Sequence, residues 1–411
     1  MRFKQFLFQS FGALVICVGL NSCKFIRTVR AIKATQKVDV TTPLAKEEVV
    51  PFIYSNQGWI VIPVKIKTPQ KSIIGDFFYD SGAITMLAHD SLYRVLEAQN
   101  VSGVLPIPAS TVFGTKYDTL SEIKSAELQI GKVAYRLQSL KADRKSHFAE
   151  DSLVGVIGPS LFANQRLMID FEKKQLVINP HFAMNDEWKK LKMRRIAVGR
   201  NPVIESLRIG GLPVRDWFVD TGNPLDLLIQ TRDKDFAGLS SSFQPYQLAQ
   251  KERLMDAAGH LGDSLQYRFE ANMVGGQESN RFTFFATHIK EDKKVRANNM
   301  GVGFMKKVFS QVIFDGPNKT FYYRLAPVRG NESSRLLSEV ALTGTTSDSV
   351  FVRAIAINST WFKQGLRADD FITAINGKPV SYWLQHLDEF RKTDYESFEF
   401  IDNGVRRTMY K

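Results

Sequence analysis

The sequence predicts a mainly β protein: two duplicated β lobes facing each other across an interlobe cleft, followed by a small α+β domain. Three observations predict it. The hexad Asp76-Phe77-Phe78-Tyr79-Asp80-Ser81 returns 140 residues later as Asp216-Trp217-Phe218-Val219-Asp220-Thr221. Further along the offset becomes 145, where Asp118-Thr119-Leu120 answers Asp263-Ser264-Leu265, Gly131 answers Gly276, Gly158 answers Gly303, and Asp170 and Lys174 answer Asp315 and Lys319. A near-constant offset over so many positions is the signature of two copies of one fold. Second, each copy is made of short runs rich in Val, Ile and aromatics, bounded by Gly, Pro, Asn or Asp, which is strand texture. Third, a polar Gly-Asn-Glu-Ser-Ser stretch after Arg329 reads as a linker to a further unit of about eighty residues.

In chain order, the first lobe spans residues 49–185. Its clearest strands are Trp59 to Ile66 and Leu176 to Ile178, and its helical candidate is brief, Asp90 to Gln99. A hairpin-like stretch runs from Thr111 to Leu120 and contains Gly114 and Tyr117. A second short helix is expected over Asp186 to Met193. The second lobe spans 190–328, with strands expected at Phe282 to Phe285 and Gln311 to Phe314. The last unit, 335–411, opens with a strand at Val350 to Ile357, and Asn376-Gly377 supplies a tight turn between two later strands.

The N-terminus has a different texture. Arg2 and Lys4 precede a mostly apolar stretch from Phe6 to Leu20, the charge and length pattern of an export signal. That run is short for a bilayer span. Its end, Leu20-Asn21-Ser22-Cys23, resembles the lipobox of bacterial lipoproteins. The resemblance implies a signal peptide over 1–23, a lipid on the Cys23 thiol, and a membrane-anchored, periplasm-facing place in the bacterial cell envelope. Residues 24–48 form a basic leader, Lys- and Arg-bearing and free of acid from Lys24 to Lys37, suited to lie along anionic headgroups. The only cysteines, Cys17 and Cys23, both fall here, so the remainder carries no disulfide.

Composition excludes little. With 411 residues, 44% hydrophobic and 24% charged, the chain has length enough for several ordinary cores. The formal charge of +13 is spread without a long basic run, so it reads as surface character rather than a nucleic-acid footprint. His89, His147, His181, His260, His288 and His386 show none of the spacings that zinc requires, and no metal or cofactor is expected. Ser81 lies outside a GxSxG frame, which argues against a serine nucleophile.

The chemistry concentrates in Asp80-Ser81-Gly82 and Asp220-Thr221-Gly222. One such tripeptide is weak, a turn with Asp leading and Gly at positive φ. Two, each after an aromatic-rich apolar strand and at the same place in a duplicated unit, carry far more. A carboxylate from each lobe, meeting across a two-fold, cannot ionise together with its neighbour; the two share one proton and titrate as a unit. Such a pair can take a proton from a water and give one to a carbonyl oxygen without metal or covalent intermediate. Gly82 and Gly222 let the chain turn tightly beside the carboxylates, and Ser81 and Thr221 supply hydroxyls to orient them.

This pattern resembles the pepsin and retropepsin superfamily of aspartyl proteases in a two-lobed, single-chain bacterial form, over about residues 49 to 325. The resemblance implies an aspartic-type endopeptidase acting on polypeptide, with Asp80 and Asp220 as catalytic dyad and Ser81 and Thr221 gripping across the lobe interface. It also implies a flap in the 111–120 stretch, with Gly114 and Tyr117 as its candidate residues. The family's hydrophobic-hydrophobic-Gly element is matched by Val156-Ile157-Gly158 and, in its last two positions, by Gly301-Val302-Gly303. Two departures stand out: Asn223 where a small residue such as Ala83 is usual, and the bulky, polar Tyr79 before the first Asp.

In the last unit, the run from Gln364-Gly365-Leu366 through Asp369-Asp370-Phe371-Ile372 to Ile375-Asn376-Gly377-Lys378-Pro379-Val380 resembles the core of a PDZ domain. That implies docking of a peptide or protein partner at a sheet edge. The Glu339 to Ser349 region lacks the usual Gly-Leu-Gly-Phe loop, leaving peptide capture and a purely structural role both open. A catalytically silent peptide-binding envelope protein, using the same cleft and PDZ-like unit, is the alternative to the protease.

Overall fold

Two hairpins, 145 residues apart, make the centre of the molecule: Arg166–Asp170 with Gln175–Ile178, and Phe309–Asp315 with Thr320–Leu325. Each turns through a lysine held at positive φ, Lys174 at 54° and Lys319 at 51°. An aspartate closes each turn from its side chain. Lys173 N–H donates to Asp170 Oδ1 at 2.8 Å, and Asn318 N–H donates to Asp315 Oδ1 at 3.0 Å. The duplication legible in the sequence is therefore a duplication of backbone geometry, down to a conformation most side chains avoid.

The two hairpins pair with each other. Arg166–Asp170 runs antiparallel to Phe309–Asp315, with Met168 opposite Ile313. Those two residues are also equivalents under the repeat, so the pseudo-two-fold axis passes between them. Its symmetry extends to side chains: Arg166 Nε donates to Asp315 Oδ2 at 2.9 Å, and Gln311 Nε2 donates to Asp170 Oδ2 at 2.6 Å. Glu48–Pro51 adds to one flank and Lys189–Arg195 to the other, giving a sheet of six strands shared by both halves. The helix expected over Asp186 to Met193 is instead a turn followed by this flanking strand. Pairing with Thr320–Leu325 overrides the local preference, burying Met193 and facing Lys190 and Lys192 outward.

Each half then builds its own sheet in the same way. In the first, Ile60–Lys67 pairs antiparallel with Ser72–Tyr79, and the short strand Gly155–Ile157 inserts between Ser72–Tyr79, parallel, and Met86–Leu87, antiparallel. In the second, Pro202–Ile209 pairs with Leu212–Asp220, and Asn298–Gly301 inserts between Leu212–Asp220, parallel, and Leu227–Thr231, antiparallel. The strands expected at Trp59 to Ile66, Leu176 to Ile178, Phe282 to Phe285 and Gln311 to Phe314 are all present. One apolar core runs through both halves, from Val50 to Tyr323. In the first half, Val101–Ser110 and Thr115–Ile130 form a long antiparallel hairpin, Ser110 opposite Thr115.

The C-terminal unit has a core of its own around Trp361, Trp383 and Phe398. Asn376 and Gly377, at φ 51° and 70°, make the expected turn between Phe371–Ile375 and Lys378–Pro379. The unit is also joined to the second half by strand pairing. Tyr246–Leu248 pairs on one side with Gln266–Val274 and on the other with Val350–Ala356. Ala249 N–H donates to Arg353 O at 2.9 Å and Ile357 N–H to Pro245 O at 3.1 Å, each bond contributing about 1 kcal/mol net. Tyr246, Leu248, Ala354 and Ala356 form a small apolar cluster at the junction.

This computed structural model describes residues 30, 33–34, 37–42, 47–67, 71–87, 101–110, 115–142, 153–181, 185–196, 200–231, 233–249, 266–288, 298–329, 339–344, 349–390, 393–402 and 404–411. Cys23, Gly114, the 1–23 segment and the helix expected at Asp90 to Gln99 lie outside them. The mainly β class holds, with 57% strand against 11% helix. Among the described residues no helix is long and apolar enough to cross a membrane.

Candidate active site

The two Asp-hydroxyl-Gly loops meet on the pseudo-two-fold axis. Each leaves a strand with a buried end: Phe77, Phe78 and Tyr79 are all buried before Asp80, and Trp217 and Val219 before Asp220, with Phe218 between them half-buried. Tyr79, an anomaly in the sequence, is a core residue packed edge-on against Phe162, ring centroids 5.8 Å apart. Burial pushes its phenol far up, with the charge of Arg195 opposing this and that of Asp80 adding to it.

Hydroxyls lock the loops to one another. Ser81 Oγ donates to Val219 O at 2.7 Å, and Thr221 Oγ1 donates to Tyr79 O at 2.8 Å. Each hydroxyl also accepts the other loop's backbone N–H, Ser81 N–H to Thr221 Oγ1 at 2.8 Å and Thr221 N–H to Ser81 Oγ at 3.0 Å. A further crossed pair braces the loops from outside. Asn201 Nδ2 donates to Ser81 O at 2.9 Å, and Trp59 Nε1 donates to Gly222 O at 2.7 Å. Trp59 is itself stacked on Phe78, centroids 4.8 Å apart.

The carboxyls of Asp80 and Asp220 flank the same glycines closely enough that each acts on the other's ionisation. Gly82 N–H donates to Asp80 Oδ1 at 2.6 Å and Gly222 N–H to Asp220 Oδ1 at 3.2 Å. The glycines are required by space as well as by turn geometry. A Cβ on Gly82 would lie 2.7 Å from Asp220 Oδ1, and one on Gly222 would collide with the carboxyl of Asp80. Each glycine thus carries the opposite half's carboxyl against its backbone.

The two acids are not equivalent. Burial first, and then the charge of Asp220, hold Asp80 well above the usual carboxylate range, against the N–H groups of Gly82 and Gly222. Burial also raises Asp220, but the amide of Asn299 opposes it most strongly, followed by Asp80 and the N–H groups of Gly222 and Asn223. Donors therefore gather on Asp220 more than on Asp80, which favours the ionised form of Asp220.

Asn299 escaped the sequence reading because of where the repeat shifts. Strand register places Phe78 opposite Val156 and Phe218 opposite Asn299. The counterpart of Val156-Ile157-Gly158 is accordingly Asn299-Met300-Gly301, which corrects the match with Gly301-Val302-Gly303; the last two of those begin the helix Val302–Val308. The two residues by which the offset still differs there are taken up by that helix. Asn223, the other anomaly, donates through Nδ2 to Asn299 Oδ1 at 2.7 Å and accepts Leu225 N–H at 3.0 Å.

Tyr117 lies in the long hairpin of the first half, opposite Pro108. Among the described residues no three His, Cys, Asp or Glu side chains converge to hold a metal ion. In the C-terminal unit an apolar groove of about 130 Å³ lies between Val340–Gly344 and the helices Val380–Gln385 and Leu387–Phe390, lined by Leu342, Val350, Ile375, Val380, Trp383 and Leu387. No family model and no curated protein matches the chain.

Proposed function

We propose that the protein is an aspartic endopeptidase of the two-lobed pepsin and retropepsin type, hydrolysing extended polypeptide between Asp80 and Asp220. The observation that carries this is the meeting of two carboxyls on a pseudo-two-fold axis, packed against each other's glycine and backed by crossed hydroxyls. In the singly protonated pair, ionised Asp220 takes a proton from a water as its oxygen bonds to the peptide carbonyl carbon. Asp80 gives its proton to the carbonyl oxygen. The tetrahedral adduct collapses as the C–N bond breaks, with the proton on Asp220 passing to the leaving nitrogen and the hydroxyl proton returning to Asp80. Net consumption is one water per bond.

The long hairpin of Val101–Ser110 and Thr115–Ile130 serves as the flap over a bound chain, with Tyr117 towards its turn and Gly114 as the other candidate flap residue. The C-terminal unit acts as a PDZ-like module. Its groove beside Val340–Gly344, a strand paired with Val350–Ala356, takes an apolar peptide side chain. The Cys23 lipid and the basic 24–48 leader place the enzyme at the membrane of the bacterial cell envelope.

The test is incubation of the purified chain with an unfolded protein and a peptide library from acidic to neutral pH, beside Asp80→Asn and Asp220→Asn. Cleavage by the parent alone supports the reading. If the parent leaves every substrate intact while all three proteins bind peptide equally, the chain is a silent peptide-binding protein.

A further inference from the structure

We propose that Asn299 is a positioning residue that makes the two aspartates unequal, holding Asp220 as the water-activating carboxylate and leaving the proton on Asp80. The assignment of roles rests on the endopeptidase reading; the inequality itself does not.

A chain of hydrogen bonds whose direction is fixed from one end carries the inference. Leu225 N–H is a backbone donor and has no other role, so the atom of Asn223 that faces it at 3.0 Å is the oxygen. Asn223 therefore points its amide nitrogen at Asn299, 2.7 Å away, and the atom it meets there is Asn299 Oδ1. Asn299 is left with only its NH2 to present to Asp220 Oδ2, at 2.8 Å. Both amides are oriented by a donor that cannot be reversed. An NH2 group donates and cannot accept, so it stabilises the carboxylate and not the carboxylic acid at that oxygen.

Among the described residues the first half has no comparable relay. By strand register Val156 occupies the place of Asn299, and Ala83 the place of Asn223. Neither side chain has a polar atom, and both pack in a small apolar cluster with Val61, Phe78 and Leu153. Asn299 is 5% exposed and Val156 1%, so the same buried position is polar in one half and apolar in the other. Two positions that coupled symmetry would make alike differ together, and both differ toward donating to Asp220.

The experiment follows the carboxyl carbons of Asp80 and Asp220 by 13C NMR through a pH titration of the full protein, with Asp80→Asn and Asp220→Asn assigning the two resonances. In the parent, Asp220 is expected to ionise at the lower pH. Asn299→Val, which copies the first half, is expected to narrow the gap by about one pH unit, a tenfold change in the ionisation ratio. Asn223→Ala frees the Asn299 amide while leaving the backbone N–H of residue 223 beside Asp220 in place, and is expected to narrow the gap less; it keeps the test decisive if Asn299→Val does not fold. Ionisation of Asp80 before Asp220 in the parent, or a gap unchanged in the folded variants, overturns the proposal. For turnover, the acidic limb of the kcat/KM profile of Asn299→Val moves upward with KM little changed, whereas a purely structural role lowers activity at all pH without moving that limb. A parent that cleaves nothing refutes the endopeptidase reading and leaves the titration result standing.

Discussion

Ser81 and Thr221 each donate to the carbonyl oxygen that precedes the other's aspartate, at 2.7 and 2.8 Å. Each hydroxyl also accepts the other's backbone N–H, so four buried polar groups are satisfied by two side chains 140 residues apart. The position of Asp80 is thereby a property of the second half, and that of Asp220 a property of the first.

Ser81→Ala removes one hydroxyl and strands two buried partners, Val219 O and Thr221 N–H. At about 1 to 3 kcal/mol for each unsatisfied group, a loss of roughly 2 to 6 kcal/mol is expected in urea unfolding. Thr221→Ser keeps the bonds and should cost less than about 1 kcal/mol. Equal stability of Ser81→Ala and the parent would show that the crossed bonds contribute nothing net.

Asp80 carries a pKa well above its unfolded value of about 3.9. The folded protein holds a proton that the unfolded chain releases. Its contribution to stability is therefore complete below about pH 4 and is lost as pH rises through the folded-state value. Asp80→Asn removes this dependence, so the unfolding free energy of the parent minus that of the variant should fall steadily between acid and neutral pH. A difference that stays flat would mean that Asp80 is not proton-bearing in the folded state.

Gly222→Ala drives a methyl group into the carboxyl of Asp80. The pair must separate or the loop must shift, and displacement of about 1 Å at reacting groups is worth on the order of a hundredfold in rate. We expect that loss in kcat with the protein still folded by circular dichroism. Retention of half the parental rate would show that the loops have room the geometry does not suggest.

Leu248→Asp places a charge in the apolar junction with the C-terminal unit, beside Ala354 and Ala356. The parent is expected to unfold with the C-terminal unit and second half coupled, and the variant to show a separate, lower calorimetric transition for the C-terminal unit. Identical scans for both would mean that the strand junction does not couple them.

The carboxyl pair and its hydroxyls were legible in the sequence because they sit within three consecutive residues and occur twice. Their braces were not. Trp59 reaches Gly222 and Asn201 reaches Ser81 only after the chain has crossed between halves, and no local pattern announces such contacts. Asn299 was hidden by the repeat itself: an offset of 145 extended back through the helix Val302–Val308 aligns the wrong glycine, and only strand register restores Asn299 to the place of Val156. The strand at Lys189–Arg195 was misread as helix because its strand partner, Thr320–Leu325, lies far along the chain. The Asn376-Gly377 turn, set by two adjacent residues, was read correctly.

The register that puts Met168 opposite Ile313 makes the central sheet equivalent to the interface of a symmetric dimer. In a true homodimer every substitution appears twice, and the two acids are bound to remain twins. Joining the halves in one polypeptide lifts that constraint. One half carries the Asn223 and Asn299 relay and binds the C-terminal unit through Tyr246–Leu248, while the other has Ala83 and Val156 at the matching places. The molecule is in effect a tethered heterodimer, in which symmetry still dictates where the acids stand but no longer obliges them to behave alike.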